Sequence, residues 1–283
     1  LNVNATMVLT QAGSTHTNTG TINLNNDLEI GGEFSNNGVM NFGSATLNGP
    51  NAPAQTFRHI AHAGLLANGP SGTINALQHA VVEAQLLNQG TLNVNATMTL
   101  TKPGAVHTNT GTINLNKELS IGEELTNAGV INFNGALTPT GALQPLQRGH
   151  GIWIQANALN NTPAGTLNVL AMGAGAMLPT ISSAASVVIE ASLLNQGTLN
   201  ISASLEISAT GVIHQNTGLI NVLADVSFAQ PLTNAGTISV TAAQLSVAGA
   251  YTQTAGLTAL NGTLSVPEAW LLGGALRGAG ALN

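Results

Sequence analysis

Leu86-Leu-Asn-Gln-Gly-Thr-Leu-Asn-Val94 returns almost unchanged at 193–201, as Leu-Leu-Asn-Gln-Gly-Thr-Leu-Asn-Ile. Shorter echoes run along the chain: Asn18-Thr-Gly-Thr-Ile-Asn-Leu24, Asn36-Asn-Gly-Val-Met-Asn-Phe42, Asn109-Thr-Gly-Thr-Ile-Asn-Leu115 and Asn127-Ala-Gly-Val-Ile-Asn-Phe133. Asn216-Thr-Gly-Leu-Ile-Asn-Val222 and Asn234-Ala-Gly-Thr-Ile-Ser-Val240 follow the same rule. The shared pattern is Asn-x-Gly, then an alternation of outward and apolar residues. Asn and Gly are turn formers, because Gly enters the left-handed region without a steric cost and Asn tolerates it. Alternation marks a strand with one buried face. Each echo therefore reads as a corner feeding a short strand.

Spacing turns this local reading into a fold. The corner pairs are Asn18/Gly20, Asn36/Gly38, Asn88/Gly90, Asn109/Gly111, Asn127/Gly129, Asn195/Gly197, Asn216/Gly218 and Asn234/Gly236, with a further glycine at Gly256. Looser versions occur at Asn68-Gly-Pro-Ser-Gly72 and Asn161-Thr-Pro-Ala-Gly165. Most neighbouring glycines are 18–21 residues apart, and three gaps of 32–36 residues read as two coils each. A fixed period near 20 predicts stacked repeats, since one strand cannot bury its face alone. The expectation is an all-β protein, a parallel β-helix (β-solenoid) of about 14 coils of roughly 18–21 residues. Corner asparagines in successive coils are then expected to stack as a hydrogen-bonded ladder.

The whole chain, 1–283, reads as one solenoid domain with internal modules at about 1–90, 91–197 and 198–283. Residues 1–44 and 92–135 share 29 of 44 positions without a gap, which marks a duplication. Residues 199–242 are a more diverged copy. An Ala/Gly-rich stretch around 170–186 reads as one inserted coil. The segments 48–62 and 141–153 break the pattern and read as loops, the place where solenoids vary.

Composition narrows the function. Only 6% of residues are charged, against about 25% in an ordinary domain. Five cations, Arg58, Lys102, Lys117, Arg148 and Arg277, are too few and too scattered for nucleic acid. No apolar run reaches the ~18 residues of a membrane span. With no cysteine there is no thiolate metal site. The chain does not open with Met or a signal peptide, and is expected to be a piece of a longer protein or a filament subunit, its coil ends open to pairing.

Candidate ligand-binding residues cluster in the two irregular segments: Arg58, His59 and His62, and Arg148, His150 and Trp153. They combine charge, imidazole and an aromatic ring, and suit a glycan better than a metal, because no third ligand stands near His59 and His62. His16, His107 and His214 recur four residues before a corner glycine, and read as outward repeat positions too far apart to share a metal. No metal and no cofactor are expected. Catalysis is not expected either. The two aspartates, Asp27 and Asp225, are far apart, and adjacent Glu123 and Glu124 should point to opposite faces of a strand, one of them inward. Thr15, Thr17, Thr19 and Thr21 form a threonine row on one face, the feature that would serve ice binding.

The run Leu-x-Asn-x-Gly-x-Ile-x-Val/Leu at this period resembles the haemagglutinin repeats of large bacterial exoproteins, the filamentous-haemagglutinin-like adhesins and related autotransporter passengers. The resemblance implies a right-handed helix, export to the cell surface, and a structural or adhesive role without catalytic residues. Expected partners are other copies joined end to end and host or matrix glycans. A glycan-binding β-helix, and less readily a polysaccharide lyase or hydrolase, are the alternatives.

Overall fold

The computed structural model describes residues 1–9, 11, 13–43, 63–134, 152–170 and 187–283, and the main chain of 58–61. All the regular structure among them is β. The strands pair in parallel, each with residues one coil before and one coil after it in the chain. The result is a β-solenoid with three strand positions per coil.

The first face is a single sheet of thirteen strands, from Asn2–Val3 and Thr21–Leu24 to Leu257–Leu260 and Ala275–Arg277. Thr91-Leu92-Asn93-Val94 shows why it forms. Leu92 and Val94 are buried, while Thr91 and Asn93 are half-exposed. Thr91 pairs with Thr73 on one side and with Thr112 on the other. Like therefore stacks on like through these coils. The second face stacks strands such as Leu28–Ile30, Ala80–Val82, Met98–Leu100 and Leu205–Ile207. The third stacks strands such as Thr15–Asn18, Gln85–Asn88, Val106–Asn109 and Leu232–Asn234. In two coils, the strands Ile152–Asn161 and Val187–Asn195 run unbroken from the second face into the third, with a bulge between Gln155 and Ala158.

The core is one column of aliphatic side chains with a few rings, including Leu24, Met40, Phe42, Ile113, Phe133, Ile220 and Phe228. A coil this narrow leaves little room for aromatic bulk, in keeping with an aromatic content of 3%.

The long repeat spacings differ from their sequence reading. Val39–Phe42 pairs directly with Thr73–Ala76, Val130–Asn134 with Thr166–Leu170, and Thr166–Leu170 with Thr198–Ile201. Each long gap is thus one step along this sheet, not two, with Thr166–Leu170 and Thr198–Ile201 adjacent rungs. The irregular segments are also shorter than expected. Arg58–Ala61 is a strand of the second face, and Trp153 lies in the strand Ile152–Asn161. Residues 44–57, 135–151 and 171–186 lie outside the described residues.

Candidate functional site

The corner asparagines point into the solenoid. Asn18, Asn36, Asn68, Asn88, Asn109, Asn127, Asn161, Asn195, Asn216 and Asn234 are all buried. Each Nδ2 donates to the Oδ1 of the next, at 2.7–2.8 Å, in one row from Asn18 to Asn234. The second amide proton is held by the main chain: Asn88 Nδ2 also donates to Thr112 O at 3.1 Å. The looser corners join the row by folding their extra residues into a tight turn, Gly72 N donating to Gly69 O and Gly165 N to Thr162 O. At its far end Asn234 donates to Gln253 Oε1 at 3.0 Å, within a buried cluster that includes Tyr251 and Thr258. Burial raises the Tyr251 phenol above its ordinary pKa.

The corner glycines are required for a different reason from the one expected. Gly20, Gly38, Gly90, Gly111, Gly129, Gly197, Gly218 and Gly236 do not take up positive φ; among the corners named from sequence only Gly256 does, at 68°. From Gly38 onward they stack too closely on the coil before to admit a side chain. A Cβ at Gly38 would stand 2.1 Å from Gly20 O, and one at Gly129 2.1 Å from Gly111 O. The same approach is 2.2 Å from Gly111 to Gly90 O, from Gly197 to Gly165 O, and from Gly218 to Gly197 O. Contact of main chain with main chain, rather than a left-handed turn, therefore fixes glycine at Gly38, Gly197, Gly218 and their equivalents. Gly20 differs, with open space where its Cβ would be.

His107 and His214 also point inward, against expectation, and both are fully buried. Alternation explains it: two residues before an inward asparagine is another inward position. In neighbouring coils the place is filled by apolar residues, Leu125 beside His107 and Leu232 beside His214. The coils that carry these histidines are 21 residues long. Their third-face strands pair backward through only two residues, Leu87–Asn88 in one case and Leu194–Asn195 in the other. The ring makes good the missing main-chain acceptor. His107 Nδ1 accepts from Leu86 N at 3.1 Å, and His214 Nδ1 from Leu193 N at 3.2 Å. The proton therefore sits on Nε2, which is buried without a partner in both rings. Burial lowers both pKa values from 6.5 to about 4, opposed at His107 by the Glu123 charge.

Among the described residues, the strands that carry Arg58 and His59 and that carry Trp153 lie apart. Arg58 and His59 pair in register with Ala80 and Val81, whereas Trp153, half-buried, pairs with Val188. Four strand spacings of the second face separate the two strands, about 19 Å. His62, Arg148 and His150 lie outside the described residues. Glu123 and Glu124 both stay out of the core. Glu123 stands at the corner before the strand and accepts from Gly104 N at 3.1 Å, while Glu124 accepts from Asn160 Nδ2 at 2.5 Å. The threonine row bends: Thr15 and Thr17 lie on the third face, and Thr21 begins a strand of the first. Among the described residues no group of three His, Cys, Asp or Glu could hold a metal.

The first face carries a second amide row, on the outside. Asn23, Asn41, Asn75, Asn93, Asn114, Asn132, Asn168, Asn200 and Asn221 each donate through Nδ2 to the Oδ1 of the asparagine one coil earlier, at 2.7–3.0 Å. The row begins at Asn2. Its donors point toward the N-terminal rungs, opposite to those of the buried row. Beside it runs a column of Thr21, Val39, Thr73, Thr91, Thr112, Val130, Thr166 and Thr198.

No family model, curated protein or solved structure matches this chain.

Proposed function

We propose that this chain is a rod-forming, non-catalytic segment of a cell-surface protein, serving as an adhesive or fibre-building element. The observation that carries the reading is the buried row of ten hydrogen-bonded asparagines, Asn18 to Asn234, which runs through nearly every coil. Each amide is satisfied only while its neighbours hold their places, so the row favours a stiff, uniform axis. The repeat likeness to filamentous-haemagglutinin-type exoproteins points the same way, toward export and exposure. Contact with further copies end to end, and with matrix or host glycans, belongs to the same proposal.

The test is to display the chain on a cell that lacks it and to measure attachment to epithelial cells and to matrix glycans. Attachment above that of a control displaying an unrelated solenoid of equal length supports the reading. Equal attachment removes the adhesive role. Electron microscopy of the purified chain then decides the fibre-building role, which fails if only separate short rods form at high concentration.

A further inference from the structure

We infer that the thirteen-stranded first face is a lateral docking surface for a second copy of this chain, so that two rods pair side by side. This does not depend on the adhesive reading, because it rests on the chemistry of one face.

Charge is the first argument. The chain is net negative, at −6, and copies repel wherever their carboxylates face each other. All eleven carboxylates lie outside the strands of the first face, and Arg277 in its last strand is the only charged residue of those strands. The other two faces carry Glu29, Glu33, Glu124, Glu190, Glu206 and Glu268 within their strands. Only one side of the rod can therefore meet its own copy without like-charge repulsion.

Order is the second. The outer asparagines are already fixed by amide-to-amide bonds along the axis, and from Asn23 to Asn221 they are half-exposed rather than free in water, as are the threonines beside them from Thr73 to Thr198. Docking such side chains costs little further rotamer entropy, a term that ordinarily weighs about 0.5–1.5 kcal/mol for each flexible one. Each outer amide within the row uses one N–H and one oxygen lone pair along it, which leaves one of each to offer a partner.

Period and area commit the occupant. A second copy has the same rung spacing by construction, so every row can meet a row, the arrangement by which paired sheets with Asn columns interdigitate. Thirteen strands at ~4.8 Å give a face about 58 Å long, and four-residue strands make it about 13 Å wide. That is roughly 750 Å² per copy, close to the ~800 Å² per partner of a standard specific interface. A single patch meeting itself is an isologous contact, which closes as a dimer.

Small-angle X-ray scattering on a concentration series up to millimolar tests this. Lateral pairing predicts that the cross-sectional radius rises with concentration, whether or not the rods also lengthen end to end. A triple variant with Thr73→Lys, Thr112→Lys and Thr198→Lys, spaced along the face, should remain single at every concentration. A control with Thr99→Lys and Ser227→Lys on the second face should pair as the parent does. Growth in length at constant cross-section would overturn the inference in favour of end-to-end contact, and so would a parent that stays monomeric throughout. Equal loss of pairing in the control and the triple variant would also overturn it, with thermal melts confirming that both fold.

Discussion

Asn109 and Asn114 sit five residues apart and do opposite work. Asn109 is buried between Asn88 and Asn127, and its removal strands a donor on one side and an acceptor on the other. Asn114 is half-exposed, and water can replace what it gives up. Asn109→Ala is therefore expected to cost roughly 2–4 kcal/mol, and Asn114→Ala about 0.5–1 kcal/mol, by urea unfolding of the two variants. Equal costs would mean that the inner row is not the stronger one. The glycines separate in the same way. Gly111→Ala meets a carbonyl oxygen of the coil below and should cost several kcal/mol, whereas Gly104→Ala meets only its positive φ of 69°, with open space around it, and should cost about 1 kcal/mol. The histidines make stability depend on pH. His107 and His214 are held neutral when folded, with pKa values of about 4, and return to about 6.5 on unfolding. Their contribution is complete above pH 6.5 and is lost as pH falls from 6.5 toward 4, on the order of 3 kcal/mol at most for each ring. His214→Leu should flatten that part of the pH curve, read as the difference in melting temperature from the parent at pH 7 and pH 4.5. An unchanged slope would contradict the buried neutral ring. At this scale the sequence named the corner residues correctly but not the reason for them. Asn-x-Gly suggested a turn governed by φ, whereas at Gly38, Gly197 and Gly218 contact with the coil before decides it, and that contact is invisible in one repeat read alone. The inward histidines were legible in principle, since each sits two places before an inward asparagine.

A coil is the unit that can be added or removed. Residues 112–129 span one 18-residue lap, from Thr112 after one corner glycine to Gly129 at the next. Deleting them joins Gly111 to Val130 and preserves alternation, the amide row and the stacking of all three faces. The shortened chain should fold cooperatively, with an unchanged β signal per residue, because stability in a stacked array is nearly a sum over neighbours. Deleting only 112–120 should unfold it, since the lap no longer closes. Circular dichroism and a melt of both deletions check this, and failure of the full-lap deletion would deny that the coil is the repeating element. The period of 18–21 residues announced this unit plainly. The three long gaps misled, because spacing alone does not distinguish two short coils from one coil with a bulge of chain. The direct pairings across the gaps resolve it: Val39–Phe42 with Thr73–Ala76, Val130–Asn134 with Thr166–Leu170, and Thr166–Leu170 with Thr198–Ile201. The Arg58 and Trp153 segments misled in a related way at their C-terminal ends: the irregular sequence reads as loop up to 62 and 153, yet Arg58–Ala61 and Ile152–Asn161 are paired strands. These two segments read as candidate sites in sequence because each is irregular in a matching place of its module, and the distance along the axis between those modules is not part of the pattern.

The whole molecule is an axis with three faces, one of them almost free of charge. Sequence composition disclosed the scarcity of charge but not its segregation, which emerges only when strands are assigned to faces. The central claim is that successive corners lie along a single line, with a long gap counting for one step like a short one. The absence of cysteine allows this to be measured cleanly by pulsed electron–electron spin resonance. One spin label is placed at Thr73→Cys and the other at Thr166→Cys, Thr198→Cys or Thr237→Cys in turn. These positions are four, five and seven rungs away along the first face. The distances should rise in a straight line, to about 19, 24 and 34 Å between the labelled backbone positions. Distances that fail to grow with rung number, or a jump of two steps across the 36-residue gap before Gly165, would contradict the account.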